Sequence, residues 1–365
     1  MDYLARTKHH YKPSKGWMND PNGLVYFDGY YHAFYQYAPD HETPFVEPMT
    51  WGHVRTKDFI TWEELPVALR PEHSYEDQGC WSGTAIVKDD VLYLFYASVT
   101  ARNGKKHRHQ SVSVAYSKDG INFTKYENNP VIEDYPADGS EDFRDPAVFF
   151  DNGRYYCVMA SGQPEIKKAR LLLYESEDLL SWKYKGIMYE LDNANVTECP
   201  AVVRYRDKFL VAMSVLTPDD HYFTVACGDF KNGVFTPDFD YNFDRGPDQY
   251  AGQAFMDKNG RSIIFSWVPG WSYNGFAEKS LGCLSLPREL TVRDGKVCAY
   301  PVKEVQHLLC DSDPAVTVTD DGFTIARAKG DVVHKGEVRD IKMLRDEYIL
   351  EVFVNGGEVN YTVVL

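Results

Sequence analysis

Ser176-Glu177-Asp178-Leu179-Leu180-Ser181-Trp182 is the stretch on which the fold turns. It reads as a hydroxyl residue, a spacer, an aspartate, and an aromatic four positions after the aspartate. Thr56-Lys57-Asp58 with Trp62 and Ser117-Lys118-Asp119 with Phe123 repeat the pattern. Gly228-Asp229 with Phe235 is a looser copy. The aspartates step by 61, 59 and 51 residues. One such segment would be an ordinary hairpin turn. Three in step with the surrounding strand pattern mark an internal repeat.

Outward from these turns lie short alternating apolar runs, among them Leu24-Val25-Tyr26-Phe27, Val91-Leu92-Tyr93-Leu94-Phe95-Tyr96 and Phe209-Leu210-Val211-Ala212-Met213. Asp28-Gly29, Asp89-Asp90, Asp151-Asn152-Gly153 and Arg206-Asp207 supply tight-turn chemistry between strand candidates. Helical periodicity is scarce. The chain therefore reads as all-β, and a recurring unit of this size predicts a β-propeller with four-stranded blades, about five over 300 residues. Residues 311–365 still alternate like strands (Tyr348-Ile349-Leu350-Glu351-Val352-Phe353-Val354) but lack the repeat. A boundary near Cys310 divides a propeller, 1–310, from a short C-terminal unit, 311–365.

Composition narrows the function. The 365 residues are 44% hydrophobic and 25% charged, as in ordinary globular proteins. A net charge of −15 repels phosphate backbones and anionic lipid, so neither nucleic acid nor membrane is expected as a partner. The N-terminal stretch has no apolar core of a secretory signal, and no apolar run reaches membrane-spanning length. Seven scattered cysteines without a C-x-x-C pair read as reduced thiols of a cytoplasmic protein. No zinc pattern, phosphate-binding glycine loop or nicotinamide fingerprint is present, and no metal or cofactor is expected.

The repeat also sets the phase of the chemistry-bearing residues. Asp20, Ser82, Asp145 and Glu198 lie 38, 37, 33 and 31 residues before Asp58, Asp119, Asp178 and Asp229. Equivalent positions in a propeller share one radius, so Asp20, Asp145 and Glu198 are expected at one end of the central channel. Each acid precedes a proline by one or two residues, which suits an innermost edge strand that need not donate. Any one of them alone reads equally well as a turn residue. Three around a polar funnel suit a hard-cation site or glycoside hydrolysis. The partners favour the second: Arg144 is expected to keep Asp145 ionised, and crowding by anions to raise the pKa of Glu198.

Trp17-Met18-Asn19-Asp20-Pro21-Asn22-Gly23 resembles the signature of family 32 glycoside hydrolases, the invertases, sucrose-6-phosphate hydrolases, levanases and inulinases. Phe34-Tyr35-Gln36-Tyr37, Trp51-Gly52-His53, Trp81-Ser82-Gly83, Asp142-Phe143-Arg144-Asp145-Pro146, Glu198-Cys199-Pro200, Gly246-Pro247-Asp248-Gln249-Tyr250-Ala251 and Leu286-Pro287-Arg288-Glu289-Leu290 follow in order. The resemblance implies a five-bladed propeller followed by a C-terminal β-sandwich, and a retaining β-fructofuranosidase acting on sucrose, sucrose 6-phosphate or short fructo-oligosaccharides. It makes Asp20 the nucleophile, Glu198 the acid/base and Asp145 the stabiliser of the transition state. Asn19, Gln36, Trp81, Ser82 and Arg144 would line the fructose pocket. Two-step retention predicts carboxyls of Asp20 and Glu198 about 5–5.5 Å apart.

Two departures stand out. Val46 occupies a position where many relatives carry tryptophan, with Phe45 the candidate replacement for that aromatic wall. Only 55 residues follow Cys310, too few for two full sheets, so the sandwich is expected as a remnant that stands as an appendage or completes itself in a homo-oligomer. Fructosyl transfer and non-catalytic fructoside binding are the alternative functions. An arabinan-cleaving inverter would need more widely spaced acids. The basic run Arg102-Asn103-Gly104-Lys105-Lys106-His107-Arg108-His109 offers cations to a phosphate, but a solvated loop is its plainer reading.

Overall fold

A computed structural model describes residues 7–41, 43–101, 108–271 and 282–365. Among these there is no α-helix, only strands and a few short 3₁₀ turns. The first sheet is built in chain order from Trp17–Phe27, Tyr30–Ala38, Thr50–Thr56 and Trp62–Leu69. The second runs from Gly79–Lys88 to Thr124–Lys125, the third from Phe143–Asp151 to Lys183–Asp192, and the fourth from Val196–Tyr205 to Val234–Tyr241, each with four strands in sequence order. A fifth sheet begins with Tyr250–Met256 and ends with Lys296–Pro301. The first strands of these five sheets contact one another in a closed cycle, the fifth returning to the first. Every one is an edge strand of its own sheet.

The turns form as their residues dictate. Asp28-Gly29, Asp89-Asp90, Asn152-Gly153 and Arg206-Asp207 each join the first and second strands of a sheet. Asp28, Gly29, Asp89, Asp90, Asn152, Gly153 and Arg206 all take positive φ, as two-residue hairpins require. The repeat aspartates close the turns between third and fourth strands. Asp58 Oδ1 accepts the N–H groups of Ile60 and Thr61 at 2.9 and 2.8 Å. Asp119 Oδ1 does the same for Ile121 and Asn122, and Asp178 Oδ1 for Leu180 and Ser181, at the same distances. The looser copy differs. Asp229 lies inside the strand His221–Lys231 and pairs with Lys208 and Lys231.

Each first strand loses register with its neighbour at an equivalent place, between Met18 and Pro21, Trp81 and Gly83, Arg144 and Ala147, Glu198 and Ala201, and Tyr250 and Gln253, and the first of them does so again between Asn22 and Val25. Such bulges bend a strand and re-aim its side chains. Asp145, Cys199 and Ala251 sit in them at φ of 55°, 46° and 52°. Pro146 and Pro200 lie within the unpaired stretch, where no ladder donor is missed.

Beyond Cys310 come two three-stranded sheets, Val316–Thr319, Gly322–Ile325 and Val332–Lys335, then Ile341–Asp346, Ile349–Val354 and Val359–Val364. Phe323 and Ile325 of one share a core with Leu350, Val352 and Val363 of the other. The second of these sheets is bonded to the rest through a buried ionic chain. His10 reaches Asp346 at 2.9 Å and Glu351 at 3.0 Å. Arg288 reaches Glu351 at 2.8 Å and Asp244 at 2.6 Å, and Thr362 Oγ1 donates to Asp244 at 2.6 Å. Every charged side chain here is bonded at several points, the condition under which buried charges are tolerated.

Candidate active site

The five bulges surround a cavity of about 830 Å³. All eight residues singled out from the sequence line it: Asn19, Asp20, Gln36, Trp81, Ser82, Arg144, Asp145 and Glu198. They come from three sheets' first strands, from the first strand of the fourth, and, for Gln36, from the second strand of the first sheet. Residues far apart in the chain meet because each bulge stands at the same height of the cycle.

Asp20 Oδ2 accepts the Ser82 hydroxyl at 2.7 Å and the Cys199 thiol at 3.4 Å. Burial and the charge of Glu198 push the Asp20 pKa up, while hydrogen bonds from Ser82, Asn19 and Cys199 oppose the rise. Asp145, 3% exposed, accepts the Cys199 backbone N–H at 2.8 Å. Cys199 thus joins two of the acids and is chain neighbour to the third. Glu198 is held by both oxygens: Arg144 donates to Oε1 at 2.9 Å and Tyr250 O–H to Oε2 at 2.7 Å. Asn19 accepts the Trp17 indole N–H at 3.0 Å, and Gln36 donates to the Cys80 carbonyl at 3.0 Å, which fixes both amides.

One expectation fails here. Arg144 does not keep Asp145 a normal carboxylate. Its guanidinium turns to Asp142, at 2.6 Å, and to Glu198, because the bulge directs neighbouring side chains apart. Burial then raises the Asp145 pKa to about 7, with Arg144 opposing and the charges of Asp20 and Glu198 adding to it.

Part of the remaining wall is aromatic. Phe45 packs against Trp17 and Trp271 with centroids at 5.6 Å and against Trp267 at 6.2 Å. Its ring thus stands in the cavity wall, next in the chain to Val46. Tyr250, Trp267, Trp271, Glu47 and Arg108 also line the cavity and were not singled out as site residues from the sequence. Tyr250 had a signal, its place in the family-like segment Gly246–Ala251. Glu47 and Arg108 had none beyond charge. Of the basic run, Arg102 to His107 lie outside the described residues. Among the described residues no group of three or more His, Cys, Asp or Glu is arranged to hold a metal ion.

Three hydrogen-bonded carboxyl groups around one cavity, two of them with raised pKa, can deliver a nucleophile and a proton to a bound molecule. The family model described as Glycosyl hydrolases family 32 N-terminal domain matches residues 10–301. A sucrose-6-phosphate hydrolase of Zymomonas mobilis subsp. mobilis is 33% identical, over 82% of this chain and 62% of its own length. A raffinose invertase of Escherichia coli is 34% identical, over 82% of this chain and 65% of its own. The chain thus spans under two thirds of these relatives. A β-fructofuranosidase of Bombyx mori superposes with a TM-score of 0.86 at 28% identity, over 99% of this chain and 89% of that one. This chain belongs to glycoside hydrolase family 32.

Proposed function

We propose that the chain is a retaining β-fructofuranosidase that cleaves sucrose or a related small fructoside. The observation that carries this reading is the convergence of Asp20 and Glu198 on one cavity, with Asp145 tied to Asp20 through Cys199. Asp20 attacks the anomeric C2 of the fructosyl unit as Glu198 protonates the departing oxygen. A covalent fructosyl ester on Asp20 results. Glu198, now a carboxylate, takes a proton from water, whose oxygen displaces Asp20 and returns fructose with retained configuration. Asp145 holds fructose hydroxyls as positive charge develops. Asn19, Gln36, Trp81, Ser82 and Arg144 shape the pocket.

The closed cycle of five first strands supports a five-bladed β-propeller over 1–310, and the shared core of the two small sheets supports a sandwich remnant over 311–365. We place the enzyme in the cytoplasm, a reading supported by seven free cysteines, six of them buried. No helix among the described residues is long and apolar enough to cross a membrane. Self-association through 311–365 belongs to the same proposal, and sedimentation measures it.

The test is fructose release from sucrose by the wild type, Asp20→Ala and Glu198→Ala. Release by the wild type with a loss of at least about 10³-fold in each variant is expected, since removing a nucleophile or acid forfeits most of the catalysis. Undiminished release by either variant would overturn its assignment.

A further inference from the structure

With the fructosyl unit at the acids, the leaving group must point to the cavity mouth. There the segment Phe45–Met49 forms one side, anchored where Met49 bridges Gly79 and accepts the Cys80 N–H at 3.0 Å. Glu47 on this segment is ion-paired through Oε1 with Arg108. Arg108 lies over the Trp81 ring, 5.5 Å from its centroid. Glu47 Oε2 is buried and has no hydrogen-bond partner among the described residues, and the same holds for Trp81 Nε1. An acceptor and a donor thus stand desolvated in the wall of one cavity, a cost that a bound sugar's hydroxyls would offset. Phe45 and Trp271 line the same mouth with rings.

We propose that Glu47, held in place by Arg108, is a specificity-determining residue that accepts hydroxyls of an uncharged sugar leaving group and selects neutral fructosides over phosphorylated ones. The proposal rests on the β-fructofuranosidase reading. Among the described residues, the cations that line the cavity are already engaged. Arg108 is on Glu47, and Arg144 is on Asp142 and Glu198. Asp20 and Glu165 line the cavity as well, so among the described residues a phosphate dianion on the leaving group meets net negative charge. A neutral hexose meets an acceptor oxygen, an indole donor and aromatic faces. Selection arises from both the bond offered and the repulsion imposed.

The test compares kcat/KM for sucrose, sucrose 6-phosphate and methyl β-D-fructofuranoside, whose leaving group is too small to reach Glu47. Wild type is expected to prefer sucrose to sucrose 6-phosphate by about tenfold or more. In Glu47→Ala the ratio of sucrose to methyl fructofuranoside should fall about tenfold, the worth of one charge-assisted hydrogen bond. The double swap E47R/R108E rebuilds the ion pair but moves the carboxylate, and should leave that ratio low. Preference for sucrose 6-phosphate by the wild type, an unchanged ratio in Glu47→Ala, or recovery in the swap overturns the proposal. No fructose from any of the three substrates would instead remove the enzymatic reading beneath it.

Discussion

The Cys199 thiol donates to Oδ2 of Asp20 at 3.4 Å, from a residue held at a φ of 46°. This contact, with the one from Ser82, lowers the proton affinity of a carboxylate that burial raises. Cys199→Ala should therefore shift the acid limb of kcat/KM to higher pH, by about a few tenths of a unit for so weak a donor. Cys199→Ser, which keeps a donor, should shift it less. Identical profiles for wild type and both variants would show that the thiol acts as filler alone.

Tyr250 holds one oxygen of Glu198 and is 2% exposed. Tyr250→Phe keeps the ring and removes the hydrogen bond. A fall in kcat of about tenfold, with the melting temperature nearly unchanged, is the expected result. A matched loss of stability and rate would point to packing as the role of the ring.

His10 gives the fold a defined pH response. Burial acts to lower its pKa, but bonds and charges from Asp346 and Glu351 outweigh this and raise it to about 9, from 6.5 when unfolded. Its stabilisation is present in full below about pH 6.5 and is lost as pH rises through about 9. The difference corresponds to about 3 kcal/mol. Glu351 moves the other way: despite burial, Arg288 and His10 hold it at about 2, so its share is lost as pH falls from 4.5 towards 2. Melting temperature against pH should decline on both sides of the interval between about pH 4.5 and 6.5. His10→Gln should lower the maximum and flatten the alkaline side.

The three aspartate turns are the same structure built three times. Asp58→Ala, Asp119→Ala and Asp178→Ala each strip acceptors from two backbone N–H groups. Each should cost about 1 kcal/mol by denaturant unfolding, and the triple variant about their sum, because the sites share no partners. Activity at low temperature should be unaltered.

These turns also explain what could be read in advance. Asp58, Asp119 and Asp178 act on N–H groups two and three residues ahead, so their role is visible in a seven-residue window. Asp28-Gly29 and Asn152-Gly153 are legible for the same reason. The phase of Asp20, Ser82, Asp145 and Glu198 was readable because the repeat carries it. The partner of Arg144 was not, because a bulge reverses which way adjacent side chains point. Glu47 and Arg108 are 61 residues apart, and nothing local announces that they meet. Asp229 shares the sequence pattern loosely but lies inside a strand, where the surrounding ladder leaves no turn to cap.

Each first strand breaks register where it faces the cavity, and the ladder resumes on both sides of the break. The reactive groups therefore occupy five interchangeable sockets whose walls are the same hydrogen-bonded framework. All five hold a side chain with chemistry to offer, around Asp20, Ser82, Asp145, Glu198 and Tyr250, the last beside Ala251, fully buried at a φ of 52°. Natural variation can refit one socket without unstitching its neighbours, so new reactivity can evolve on this scaffold by single replacements that leave the architecture untouched.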